Sequence, residues 1–257
     1  LAADGASVGR RPLGPRIDAL LQAWFAAMPH APSAALRQAI EQSHTEDASF
    51  AQAFARLLGH ATAGLGLVIL DPDDRAFAAL ARDVIARELF GPVRASAALA
   101  RGRARLAALG QAEIVPTHRS LLQVHWSDEH RVRRRLRIDG DGLAAGDRRL
   151  GVAELEACLE LTPERFTPAA LLRPVLQDAI LPSVAYVAGP TEARYLAQTD
   201  ELYEWAGVPR SRVVPRGSLR WIDSSDLDRL APAGGLATLD ASAAPQTAVG
   251  RGALQVE

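Results

Sequence analysis

The chain has no lysine: all 29 of its Lys+Arg positions are arginine. That excludes a lysine Schiff base, a P-loop lysine and any lysine-based phosphate clamp. Recognition of a phosphate or carboxylate then falls to arginine, backbone amides or helix N-termini. Cysteine is nearly absent too. The single Cys158 cannot form an internal disulfide, which suits a reducing cytoplasm. It falls on an apolar helix face with Leu155 and Leu159, a packed position rather than a nucleophile's. There is no apolar run long enough to span a bilayer, and no CxxC, P-loop or GxGxxG. The formal net charge is only -1, so no overall field gathers nucleic acid or an anionic membrane, and neither is an expected partner. The start, LAADGASVGRRPLGP, has no signal-peptide pattern and does not begin with Met, which reads as a fragment.

What is present is a globular α/β sequence. Apolar residues make up 48% of 257, enough for a sizeable core. Residues 1–14 read as a linker or truncated connection. Residues 15–110 read as a helical segment followed by a first strand–turn–helix unit. In the first helix Leu20, Leu21, Trp24, Phe25 and Met28 share an apolar face, and in the third Phe50, Phe54, Leu57 and Leu58 do. The run LGLVIL at 65–70 is expected to be a buried parallel strand. The cluster Asp71–Asp74 follows it, and Asp71 or Asp73 as a cap of the next helix is favoured over a cation site.

Residues 111–150 change texture to short strands and turns, a small β-rich insertion. Arg131, Arg133, Arg135 and Arg137 alternate along one of its strands, the pattern of a charge-guarded edge. His118, His125 and His130, with Asp128 and Glu129, match no trusted ligand spacing, so no metal is expected. Residues 151–222 hold a second strand–turn–helix part of the core. Thr167-Pro168 has the look of a helix start, Pro174 of a kink or stop near Arg173, and residues 183–188 of a strand. Residues 212–214 are a candidate third strand. Residues 223–257 lose periodicity and read as a disordered tail.

The densest polar constellation lies between residues 166 and 217. Gly189-Pro190 turns a strand into a helix, and a ligand in an open α/β sheet sits outside such a strand end. Arg173 and Gln177 share a helix face, with Asp178 beside them. An arginine fork there suits a carboxylate or phosphate, or simply pairs with Asp178.

At these residues the chain resembles the bacillithiol biosynthesis cysteine-adding enzymes. The segment LLRPVLQDAILPSVAYVAGPTEARYLAQ carries the likeness, with the later GVP, Pro215-Arg216-Gly217-Ser218, Val8-Gly9-Arg10, Pro12-Leu13-Gly14 and the stretch 65–74. The resemblance implies an α/β fold: a Rossmann-like core with helical and small β-rich insertions. It implies a ligase that joins L-cysteine to the amino group of glucosaminyl-malate. Activating the cysteine carboxylate implies ATP or another adenine nucleotide. Asp178 and Glu192 become the expected catalytic carboxylates. Arg173, Gln177, Tyr186, Gly189, Pro190, Tyr195, Gln198 and Arg216 become the expected substrate-binding set. Full-length members also carry an N-terminal segment with an acidic-histidine motif and a long coiled coil that implies homodimers; neither is in this chain. Ala169 and Ala188 stand where the family usually has Asn and Gly. A non-catalytic α/β binding module and another nucleotide-dependent transferase are the alternative readings.

Overall fold

The computed structural model describes residues 8–71, 74–130, 132–140 and 142–217. It forms two compact units, Leu1–Pro215 and Arg216–Glu257, and every element named below lies in the first. Asp73, Arg131 and the tail expected at 223–257 lie outside the described residues.

Three short helices come first: α1 (Ile17–Ala27), α2 (Ala34–Ser43) and α3 (Phe50–Ala61). Their starts are set by side chains. The Ser33 hydroxyl accepts the Leu36 N–H, and Ser49 and Gln52 form a reciprocal capping box. Leu21, Phe25 and Ile40 make a small core with Ile17, Met28 and Leu57 against it. The expected apolar faces are only half used. Leu20 is 61% exposed, Trp24 49% and Phe54 65%. A stripe that wide needs more than the one or two neighbours this bundle provides.

Helices α4 (Arg75–Leu80), α5 (Arg82–Phe90) and α6 (Ala95–Ala108) follow. The cap of α4 is Asp74 rather than the expected Asp71: Asp74 directly precedes the helix and accepts the Ala76 N–H at 2.7 Å, while Asp71 accepts from Arg10. Residues 65–70 do not form the expected strand; the run is exposed, with Leu65 at 77% and Val68 at 75%. An apolar run becomes a strand only if another strand satisfies its backbone, and none of the described strands pairs with it.

The main sheet is antiparallel. Strands β1 (Leu121–Ser127), β2 (Arg133–Asp139), β3 (Gly142–Ala145) and β4 (Arg148–Leu150) form a meander, and α7 (Val152–Leu161) follows. Strand β5 (Phe166–Pro168) then returns beside β1, giving the order β4-β3-β2-β1-β5. Two expectations change here. Strand β2 is interior rather than an edge, because β3 covers its outer side. Thr167-Pro168 belongs to β5 rather than to a helix start: pairing with β1 takes precedence over capping propensity.

The remaining elements are α8 (Leu172–Ile180), β6 (Ala185–Ala188), α9 (Pro190–Leu196), α10 (Asp200–Ala206) and β7 (Arg212–Pro215). Pro174 neither kinks nor ends α8. It sits in the first turn, where a missing N–H costs nothing. The expected third strand is present, and β6 and β7 run parallel, pairing Tyr186 with Val213 and Ala188 with Pro215. Gly207 closes α10 at φ 69°, a left-handed cap that favours glycine. Helices α5, α6, α7, α8 and α10 cover one face of the antiparallel sheet, sealing a core that includes Leu89, Leu99, Leu122, Leu136, Leu172 and Leu202. Among the described residues no helix is long and apolar enough to cross a membrane.

The other face of β1 and β2 carries the arginines. Arg135 donates to the Leu122 carbonyl at 2.9 Å, and Arg133 to the Pro168 carbonyl at 3.0 Å. His125 lies between them. Burial, then Arg133 and Arg135, push its pKa down to about 4. The unfolded chain takes a proton near pH 6.5 while the folded one refuses it. This residue therefore removes stability as pH falls from about 6.5 toward 4, and has no effect above that window. Glu88, whose pKa is raised chiefly by burial, acts with the opposite sign. The difference between wild type and His125→Gln isolates the histidine. Between pH 6.5 and 5 wild type is expected to lose about 1 kcal/mol more than the variant, the value discounted for partial exposure. Urea midpoints across that range measure it. Parallel curves for the two proteins rule the effect out.

Candidate functional site

The three tyrosines of the chain all fall within residues 186–203, and each one donates to a carboxylate. Strand β6 presents Tyr186. The chain turns at Gly189, whose φ of -70° is open to any residue, and Pro190 opens α9. One turn further, Glu192 faces back toward the strand. Its Oε1 accepts the Tyr186 hydroxyl at 2.8 Å and the Tyr195 hydroxyl at 2.9 Å. From α8, the exposed Arg173 donates to the Tyr195 oxygen at 3.2 Å. Arg173, Tyr195, Glu192 and Tyr186 thus form one hydrogen-bonded chain across α8, α9 and β6.

Its electrostatics follow from the donors. Desolvation opposes ionisation of Glu192. The two phenols, the Gly189 backbone N–H and the Arg173 charge outweigh it, and hold its carboxyl below the usual range. Burial and the neighbouring carboxylate push both Tyr186 and Tyr195 above the usual phenol value. The phenols therefore stay protonated and act as donors. The arrangement offers a carboxylate and a guanidinium at one strand end, which suits a ligand with both an amino and a carboxyl group.

Asp178 lies on the same helix as Arg173 but belongs to a different contact set. Its Oδ2 accepts the Tyr203 hydroxyl at 2.9 Å and the Ser211 N–H at 3.1 Å. It clamps α8 to α10 and to the start of β7. Gln177 is half-buried on α8, and its carbonyl closes the helix by accepting the Leu181 N–H. Gln198 is 2% exposed. Its Oε1 accepts the N–H groups of Ile114 and Val115, and its Nε2 donates to the Val115 carbonyl, so the side chain ties the segment before β1 to the end of α9. Arg216 is exposed and opens the second compact unit. Of the expected set, Arg173, Tyr186, Gly189, Pro190, Glu192 and Tyr195 stand together. Tyr203 and Ser211 were not anticipated. The scarcity of tyrosine was the available signal for Tyr203; the backbone donor of Ser211 left none.

A buried carboxylate also escaped sequence reading. Glu88 is 0% exposed at the end of α5. It accepts the N–H groups of Ala95, at the start of α6, and of Gln123, on β1, both at 2.7 Å. It holds α5, α6 and β1 together rather than contributing to the site. Among the described residues no group of three His, Cys, Asp or Glu could hold a metal ion.

Comparison with known proteins agrees with the motif. Residues 2–217 match the family model "Bacillithiol biosynthesis BshC, N-terminal Rossmann-like domain". The chain is similar to three proteins named "Putative cysteine ligase BshC". It is 34% identical to the Salinibacter ruber protein over 196 residues, 74% of this chain and 35% of that one. It is 34% identical to the Thermus thermophilus protein over 203 residues, 78% of this chain and 39% of that one. It is 31% identical to the Prosthecochloris aestuarii protein over 225 residues, 85% of this chain and 39% of that one. The chain therefore spans little more than a third of the length of the curated relatives it matches.

Proposed function

We propose that this chain, which belongs to the BshC family of bacillithiol biosynthesis and has its Rossmann-like α/β domain, carries the acceptor site of a ligase that adds L-cysteine to glucosaminyl-malate. The observation that supports this reading is the carboxylate–guanidinium pair at the end of β6. Glu192 is ionised and within reach of the strand end, so it receives the amino group of the sugar. Arg173, exposed and pointing its guanidinium at the same tyrosine, receives the malyl carboxylate. Gly189 and Pro190 form the turn on which the ligand rests. Asp178 holds the wall of the site through Tyr203 and Ser211. Gln198 holds the end of α9 to the segment before β1, and the backbone carbonyl of Gln177 closes α8.

An amide bond to cysteine requires an activated carboxylate. ATP or another adenine nucleotide is the co-substrate that supplies this. With no lysine in the chain, its phosphates would be met by arginine. The substrates are small molecules, and the lone free Cys158 suits a cytoplasmic setting.

The test is a titration of the purified chain with glucosaminyl-malate beside Arg173→Ala. Saturable binding that weakens about tenfold or more in the variant is expected, the size of a lost charge-assisted contact. Absence of binding by the folded wild-type chain contradicts an acceptor site and favours a non-catalytic module.

A further inference from the structure

Glu192 shows an asymmetry that its proposed role does not explain. Both phenols donate to the same oxygen, Oε1, from opposite sides of the turn. Tyr186 comes from β6, before Gly189, and Tyr195 from α9, after it. The carboxylate is therefore gripped by one oxygen. Arg173 reaches this assembly from a third element through the Tyr195 hydroxyl.

We infer that Tyr186 and Tyr195 are positioning residues that fix Glu192 as a permanent carboxylate, so that it holds the acceptor's ammonium group and does not take its proton. This rests on the acceptor-site reading given above. A general base works best when its proton affinity lies near the operating pH, and enzymes raise carboxyl pKa values by burial to reach that range. The surroundings of Glu192 do the reverse. Two O–H donors and a nearby guanidinium all favour the anion. An anion of low proton affinity attracts a cation and removes few protons. The proton of the attacking amine must then leave to another group, such as solvent or a carboxylate of the substrate.

The groups facing Glu192 are few. Strand β6 contributes Tyr186, α8 contributes Arg173, and α9 contributes Tyr195 and the Gly189 N–H at its start. Strand β7 also packs on α9, and its arginine, Arg212, pairs with Ala185 at the opposite end of β6. Removing either phenol therefore takes one O–H donor from Glu192, and Arg173 is the charge that stays beside it.

The test reads Glu192 without any ligand, so it is separate from the acceptor-site titration. The side-chain carboxyl carbon is followed by NMR in protein labelled at glutamate, and Glu192→Gln identifies its signal. In wild type the signal titrates below the ordinary glutamate midpoint. In Tyr195→Phe and in Tyr186→Phe the midpoint is expected to rise by about half a unit or more, and further in the double variant. Phenylalanine keeps the ring and the packing, so a merely structural tyrosine changes stability and leaves this midpoint in place. An unmoved midpoint in both single variants overturns the inference, whether or not the wild type binds the amino sugar. A wild-type midpoint near neutrality overturns it as well, because Glu192 would then be poised as a base.

Discussion

Glu88→Ala is expected to lower the folding stability by roughly 2–5 kcal/mol, enough to unfold much of a marginal domain. The side chain is fully buried and accepts two backbone N–H groups from different elements, Ala95 on α6 and Gln123 on β1. Alanine leaves both donors in the core with no acceptor, and each such donor costs about 1–3 kcal/mol. Arg135, partly buried and attracted by Glu88, also loses its counter-charge. Glu88→Gln should lose less. It keeps one carbonyl oxygen for one N–H and avoids burying a charge, but turns an NH2 group toward the other. Urea unfolding of the three proteins at pH 7 ranks them. Glutamine as damaging as alanine would contradict a stabilising role for the one carbonyl acceptor it keeps.

Asp178→Ala is expected to lower stability by about 2–4 kcal/mol, because the Tyr203 hydroxyl and the Ser211 N–H lose their shared acceptor. Asp178→Asn should retain most of that stability, since its carbonyl oxygen still accepts. The comparison separates a clamp from a reacting carboxylate. A clamp predicts that Asp178→Asn still binds glucosaminyl-malate within a few-fold of wild type. A carboxylate that itself meets the amine predicts loss of binding in the asparagine variant at unchanged thermal stability.

The sequence told much about the site and less about the sheet. The strand, the Gly189-Pro190 turn and the cluster of Arg173, Tyr186, Glu192 and Tyr195 were readable because they lie within 23 residues of one another. Local spacing places them on α8, β6 and α9 before any tertiary contact is known. The partners of Asp178 were not readable in the same way. Tyr203 and the Ser211 N–H meet it across 25 and 33 residues, and a backbone donor leaves no mark in a sequence. Glu88 looked like an ordinary residue on an amphipathic helix, since burial of a carboxylate shows only when its N–H donors are located. The run at 65–70 failed for the converse reason. Its composition states that it is apolar, but pairing requires a neighbouring strand that composition cannot supply. Thr167-Pro168 has good capping chemistry, yet β1 needed an edge partner and the segment serves as β5.

The titration with glucosaminyl-malate tests the central claim most directly when it is followed by residue-resolved amide shifts. Saturable changes concentrated at residues 186–195 and around Arg173 are expected, and their loss in Arg173→Ala. Saturable changes centred elsewhere, or binding that Arg173→Ala leaves intact, would contradict an acceptor site at the end of β6.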